Sequence, residues 1–177
     1  MRRLANGISR LIPIILFLLM ACCTTLGNRG TQHGGSPPVI TNAFASKEVS
    51  HGDIWRIYVE ANDPDGDMRY FAYTIRNTGF GRRVDYVRIR KGDRATMLGY
   101  LRVFTSSPGD PQAEWARLTL TLSIQDRSGN TSGKVTFPVA LTRGVKQASP
   151  PPPFDIQGMK RLGQIWVELP RTPTGGP

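Results

Sequence analysis

The chain has 177 residues, a formal net charge of +10, two cysteines and two histidines. This length is enough for one domain with its own apolar core. No phosphate-binding loop, zinc-ligand spacing or dinucleotide-binding fingerprint occurs, so the sequence carries none of these recognisable chemistries.

Residues 1–21 are typical of a secretion signal. Basic residues precede the uncharged run LIPIILFLLM (11–20), which is shorter than the roughly 20 apolar residues that a membrane-spanning helix needs. The run leads into LMAC (19–22), which resembles the bacterial lipobox. The resemblance implies cleavage before Cys22 and lipidation of that cysteine. The alternatives are an ordinary signal peptide cut nearby, with unmodified cysteines, or an uncleaved anchor.

Lipidation at Cys22 would leave Cys23 without a partner in the chain, so no internal disulfide would form. Two or more acyl chains hold a protein stably on a membrane. In lipoproteins of this general type, aspartate after the lipidated cysteine favours retention at the inner membrane. Because Cys23 occupies that position, we expect a lipid-anchored cell-envelope protein, sorted to the outer membrane in a Gram-negative source.

Low-complexity segments flank a central domain predicted at 38–143. Residues 22–37 are rich in Gly, Ser and Thr and predict a flexible tether. Residues 144–177 form a tail with four consecutive prolines, which favour polyproline II. Within the tail, GQIWVEL (163–169) alternates and is either an extra strand on the domain or a docking peptide. We favour the strand, because a free Trp-containing strand is an exposed edge.

Between these segments, apolar residues recur with a period of two, which indicates strands. The clearest run is RLTLTLSIQD (117–126), with DIWRIYVEA (53–61) and KVTFPVALT (134–142) beside it. The residues predicted to face inward are Trp55, Ile57, Val59, Ala61, Leu118, Leu120, Leu122, Ile124, Val135, Phe137, Val139 and Leu141. Further strands are predicted at 39–45, 69–76, 84–90 and 96–104. Seven short strands separated by turn residues indicate an all-β sandwich.

Two stretches of this domain resemble bacterial immunoglobulin-like domains of the PKD, cadherin-like and fibronectin III-like kind. ANDPDGDMRYFAYTI (61–75) resembles the end of strand B, the following loop and strand C. LTLSIQDRSGNTSGKVTFPV (120–139) resembles strand F, a turn and strand G. The resemblance implies an immunoglobulin-like antiparallel β-sandwich over about 38–143.

Three aspartates alternate in DPDGD (63–67), which leaves two interpretations. Asp-Pro-Asp-Gly matches the residue preferences of a type I turn. Calcium, in contrast, takes six to eight oxygen ligands, usually drawn from several loops. The residues predicted for a calcium site are Asp63, Asp65, Asp67 and Asp126, and calcium is the one cofactor that the sequence raises.

A basic cluster lies in GRRVDYVRIRKGDRATMLGYLR (81–102). It could hold an anionic lipid, an acidic glycan or an acidic protein; the alternative is a solvated, charged edge that prevents aggregation. Nucleic acid is not expected in this compartment. The predicted patch comprises Arg82, Arg83, Arg88, Arg90, Lys91 and Arg94.

No catalytic set stands out, since SHGD (50–53) has the residues of a turn. We therefore expect no enzyme activity, and instead a lipid-anchored module that holds an envelope protein partner or assembly at the membrane surface. The alternative is a module that binds an anionic glycan or lipid through the basic face. A third option is an enzyme whose site the sequence does not reveal.

Overall fold

The computed structural model describes residues 34–77, 84–105 and 117–167, which form two packed β-sheets. No helix in these residues has the length and apolar character needed to cross a membrane. A 3₁₀ turn, Lys91–Asp93, separates the fifth and sixth strands. The strands within the described ranges are β1 Val39–Ala45, β2 Glu48–Ser50, β3 Ile54–Asn62, β4 Met68–Asn77, β5 Val84–Arg88, β6 Thr96–Phe104, β7 Arg117–Asp126, β8 Val135–Thr142 and β9 Arg161–Trp166.

The strand order is immunoglobulin-like. One sheet has the order β1-β3-β6-β9 and the other β2-β8-β7-β4-β5. Strands β3 and β6 occupy the places of strands B and E, and β4, β7 and β8 those of C, F and G. Neighbours pair antiparallel except β2 with β8 and β6 with β9, which are parallel. The predicted fold class, an all-β sandwich, is confirmed.

All seven predicted strands are present, with bounds that differ by at most two residues. The largest difference is in β5, which ends at Arg88 instead of residue 90. The additional strand β2 has three residues, too few for alternation to reveal it in the sequence. It forms because the chain leaves the first sheet after Ala45 and pairs with β8 in the second sheet.

The core lies between the sheets and includes all of the predicted inward-facing residues except Val135, together with others such as Phe71 and Leu101. Trp55, Ile57 and Leu122 are at most 1% exposed, and Val135, at the start of β8, is only partly buried. Full burial of one such large apolar side chain stabilises the fold by roughly 1.5–3 kcal/mol. The indole Nε1 of Trp55 donates to the carbonyl of Ser46 at 2.9 Å, so its one polar group is satisfied in the core.

The C-terminal segment is part of the sandwich. Strand β9 pairs with β6 and overlaps the segment at 163–169. Its inward side chains Leu162 and Ile165 are 3% and 1% exposed. A Cβ on Gly99 would overlap the carbonyl oxygen of Lys160, so only glycine allows this approach of the two strands. The compact structure therefore extends past residue 143.

Side chains fasten the start of this segment to the sandwich. The hydroxyl of Ser50 accepts from the amide of Val145 at 2.9 Å and donates to the carbonyl of the same residue at 3.0 Å. The Gln147 side chain donates to the carbonyl of Ile54 at 2.8 Å and accepts from the amide of Arg56 at 3.2 Å. These bonds hold residues 145–147 beside the beginning of β3.

The same segment covers part of the outer face of the four-stranded sheet. The ring of Phe154 lies 5.7 Å from that of Tyr58, between centroids, and only 3% of Phe154 is exposed. Tyr58 points outward, as alternation predicts, but it is only 9% exposed, since the rings of Phe154, Phe44 and Tyr100 pack around it. The C-terminal segment thus adds a small second apolar cluster outside the main core.

Candidate functional site

The aspartate-rich segment forms the turn that joins β3 to β4. The amide of Gly66 donates to the carbonyl of Asp63 at 3.1 Å, which closes the turn. The two carboxylate oxygens of Asp63 accept from the amides of Asp65 and Asp67, at 3.1 and 3.2 Å. Asp63 is 4% exposed, so its carboxylate is held in place by backbone donors. The turn interpretation of DPDGD is confirmed.

Asp126 has the same role in the turn after β7. One of its carboxylate oxygens accepts from the amide of Asn130 at 2.8 Å, and the other from the Asn130 side-chain nitrogen at 2.9 Å. It is 3% exposed. Because Met68 pairs with Asp126 across the strands, this turn lies next to the aspartate-rich one.

Asp67 differs from these two carboxylates in one of its oxygens. Its Oδ1 is buried and has no hydrogen-bond partner among the described residues. Burial raises the pKa of the Asp67 carboxyl above its ordinary value, and the nearby carboxylates of Asp126 and Asp63 raise it further. The two turns therefore bring Asp63 and Asp126, two of the other predicted calcium ligands, close enough to Asp67 to disfavour its charged form.

Calcium binding stays a prediction. Within the described ranges, no three Asp, Glu, His or Cys side chains are grouped so that they could hold a metal ion. The fourth predicted ligand, Asp65, is exposed and accepts from the amide of Ser36. The visible role of Asp63 and Asp126 is to accept hydrogen bonds within their own turns.

The basic residues predicted as one patch divide into two groups. Arg88, Arg90 and Lys91 are exposed and follow one another where β5 ends. Arg94 is half-buried beyond the 3₁₀ turn, and its carbonyl accepts from the amide of Met68 beside the aspartate-rich turn. Arg82 and Arg83 lie outside the described residues.

The outer face of β4 and β5 carries aromatic residues beside these arginines. Arg88 pairs with Tyr70 across the strands. The Tyr70 and Tyr86 rings meet edge to face at 5.8 Å, and the guanidinium of Arg69 lies 5.0 Å from the centre of the Tyr70 ring. Tyr86 is 55% exposed. We call these four residues, with Arg90 and Lys91, the β4–β5 face.

The predicted patch included Arg88, and Tyr86 lies in the same basic stretch, but sequence reasoning missed Arg69 and Tyr70, which come earlier in the chain. Alternation does place Tyr70 outward, yet it does not say which strand lies beside β4. Only the register of β4 with β5 brings these residues together.

Ser50, His51 and Asp53 also form the turn that the sequence predicts. The amide of Asp53 donates to the carbonyl of Ser50 at 3.0 Å, and Gly52 has a φ of 87°, as the third residue of a type II turn requires. The Ser50 hydroxyl is bonded to the backbone of Val145, so it joins this turn to the C-terminal segment.

No protein family model and no curated protein sequence matches the chain. Among solved structures, the chain is similar to the PKD domain of an M14-like peptidase from Thermoplasmatales archaeon SCGC AB-540-F20. The TM-score is 0.38 and the sequence identity 14%, over 62% of this chain and 99% of that domain. The immunoglobulin-like assignment rests on the strand order described above.

Proposed function

We propose that this protein is a lipid-anchored binding or structural module of the cell envelope, which holds a protein partner or assembly at the membrane surface. The anchor is the lipid on Cys22, and residues 22–37 are the tether. The membrane is the outer one in a Gram-negative source. Support for the anchor comes from the LMAC motif after a short apolar run.

The observation that carries the binding role is the β4–β5 face. Tyr and Arg are enriched in protein interfaces and are frequent among the residues that dominate binding energy. Here Tyr86 is 55% exposed, and its contact with Tyr70 holds the ring in place without covering it. A preorganised aromatic side chain loses little conformational entropy when a partner covers it.

A second candidate uses the same face to bind an anionic glycan or lipid. It is favoured by the three exposed cations Arg88, Arg90 and Lys91 at the end of β5. Arginine binds carboxylate and phosphate groups with two parallel hydrogen bonds, and such contacts weaken as salt concentration rises.

Metabolic labelling with a fatty-acid analogue tests the anchor. The wild-type chain is expected to incorporate label and to fractionate with membranes, and Cys22→Ser is expected to lose both. Cys23→Ser is the matched control, because it removes the neighbouring thiol and leaves the lipobox unchanged. Label that persists in Cys22→Ser would show that the anchor is wrong.

Co-purification of the full chain from detergent-solubilised membranes tests the partner. We expect one protein in stoichiometric amount, lost when Arg88→Glu and Arg90→Glu are combined. Lys134→Glu with Lys146→Glu reverses two charges elsewhere and is expected to retain the partner. Recovery of carbohydrate or lipid in place of protein, lost in the same double variant, would favour the second candidate. Equal recovery from both double variants contradicts a role for the β4–β5 face.

A further inference from the structure

The outer face of the four-stranded sheet carries an aromatic platform at one end. Phe104 and Trp166 are cross-strand neighbours at the ends of β6 and β9. Their rings stack at 4.1 Å between centroids with an interplanar angle of 10°. Trp166 is 63% exposed, so most of the indole faces solvent although one side is held against Phe104.

Polar and positively charged groups border this platform. The guanidinium of Arg102 lies 4.9 Å from the centre of the Phe104 ring. Across the strands, Arg102 of β6 pairs with Arg56 of β3 on one side and with the exposed Gln164 of β9 on the other. Neither arginine forms an ion pair with a described carboxylate, and both guanidinium groups lie over aromatic rings.

A flat, open indole bordered by guanidinium and amide groups matches the chemistry of an acidic sugar. One face of a pyranose ring is lined by C–H groups and can cover an aromatic ring, whereas its hydroxyl and carboxylate groups project from the edge. Arg102 would bind the carboxylate through paired hydrogen bonds, and Gln164 can both donate to and accept from hydroxyl groups. A site of this kind requires no closed pocket.

We propose that Arg102, Phe104 and Trp166 form a binding site for an acidic, uronate-containing glycan, with Arg56 and Gln164 as further contacts. Charge complementarity selects an anionic chain over a neutral one. This site lies on the sheet opposite the β4–β5 face and does not depend on the function proposed for that face.

Titration calorimetry of the full chain in detergent tests the site, with oligogalacturonate and alginate oligomers as probes. At least one probe is expected to bind, and a neutral galactose oligomer of equal length to bind at least about tenfold more weakly. Trp166→Ala and Arg102→Gln are each expected to weaken binding about tenfold, and Trp166→Tyr to restore part of it. Tyr86→Ala and Arg88→Gln are matched controls on the other sheet.

Each alternative gives a distinct result. No binding of either probe, or binding unchanged in Trp166→Ala and Arg102→Gln, overturns the proposal. Binding lost only in Arg88→Gln would assign the glycan to the β4–β5 face. Equal binding of a polyglutamate peptide would show a general polyanion surface and overturn the assignment to a glycan. If thermal unfolding shows that Trp166→Ala loosens β9, Arg102→Gln decides alone, because that residue lies on β6.

Discussion

The outer faces of the two sheets differ although their strands have the same alternating pattern. On the four-stranded sheet, Tyr58 is 9% exposed, and Phe154 from the C-terminal segment is one of the rings that pack on it. On the five-stranded sheet, Tyr86 is 55% exposed. Alternation fixes the direction of a side chain relative to its own sheet. Whether an outward side chain is exposed to solvent depends on whether another segment of the chain packs over it.

The largest effect is expected from detaching β9, which belongs to the four-stranded sheet. Gly99→Val places a side chain where the carbonyl of Lys160 lies, so β9 should leave β6 and expose the apolar side chains of Leu162 and Ile165. We expect the free energy of unfolding to fall by about 3 kcal/mol or more in urea titrations. The amide of Tyr100, which donates to Lys160, should also exchange its hydrogen faster.

Gly92→Ala is the control for that change. It also adds a Cβ to a glycine, but no heavy atom lies within 4 Å of the added position. We expect an effect within about 0.5 kcal/mol. Equal stability of Gly99→Val and Gly92→Ala, with the Tyr100 amide still protected, would contradict the tight approach of β9 to β6.

A matched pair of truncations compares the faces directly. Phe154→Ala removes the ring that covers Tyr58 and is expected to cost about 2 kcal/mol, less than the 3–5 kcal/mol of a central core phenylalanine. Tyr86→Ala removes an aromatic ring from the other face and should change stability by about 0.5 kcal/mol or less. Urea denaturation monitored by circular dichroism gives both values. Similar losses of unfolding free energy in the two variants would mean that Phe154 contributes no more to stability than an exposed surface ring.

The smallest expected effect is at Asp67. Because its pKa is raised in the folded state, the unfolded chain loses this proton at a lower pH, and stability falls as pH rises from the ordinary value of 3.8 to the raised one. Asp67→Asn removes the charge, so it should raise Tm at pH 7. The gain should vanish below about pH 3.8, where the carboxyl is neutral in both states.

Thermal melts with chelator and with calcium extend this test. Asp155→Asn, at an exposed position, is the control and should leave Tm unchanged. If calcium binds at this site, Asp67→Asn would remove a ligand. It would then lower Tm in the presence of calcium instead of raising it. If Asp67→Asn has a lower Tm than the wild-type protein in chelator at pH 7, the repulsion between these carboxylates is contradicted.

Much of the fold could be predicted from the sequence, because strands buried on one face have period two. Leu118 to Ile124 show this period without interruption, and all four inward residues of β7 are buried. The partner of β9 could not be predicted in the same way. Its position depends on the space that Gly99 leaves beside β6, and a glycine within a strand does not reveal which segment approaches it.

The candidate sites were harder to predict than the fold. Sequence reasoning found Arg88, which lies two residues after Tyr86 on the same strand. It grouped Arg88 with Arg94, which the 3₁₀ turn carries to the aspartate-rich end of the molecule. The stacking of Trp166 on Phe104 joins residues that are far apart in sequence and depends on a parallel pairing that no local pattern indicates.

The register of the four-stranded sheet also gives the domain a direction. Val39, where β1 begins, pairs with Asn62 at one end of β3, and the opposite end pairs with Phe104, next to Trp166. The chain therefore enters the sandwich at one pole, and the indole lies at the other, about 30 Å away along nine residues of strand. The proposed glycan site therefore lies at the end of the sandwich opposite the one at which β1 begins.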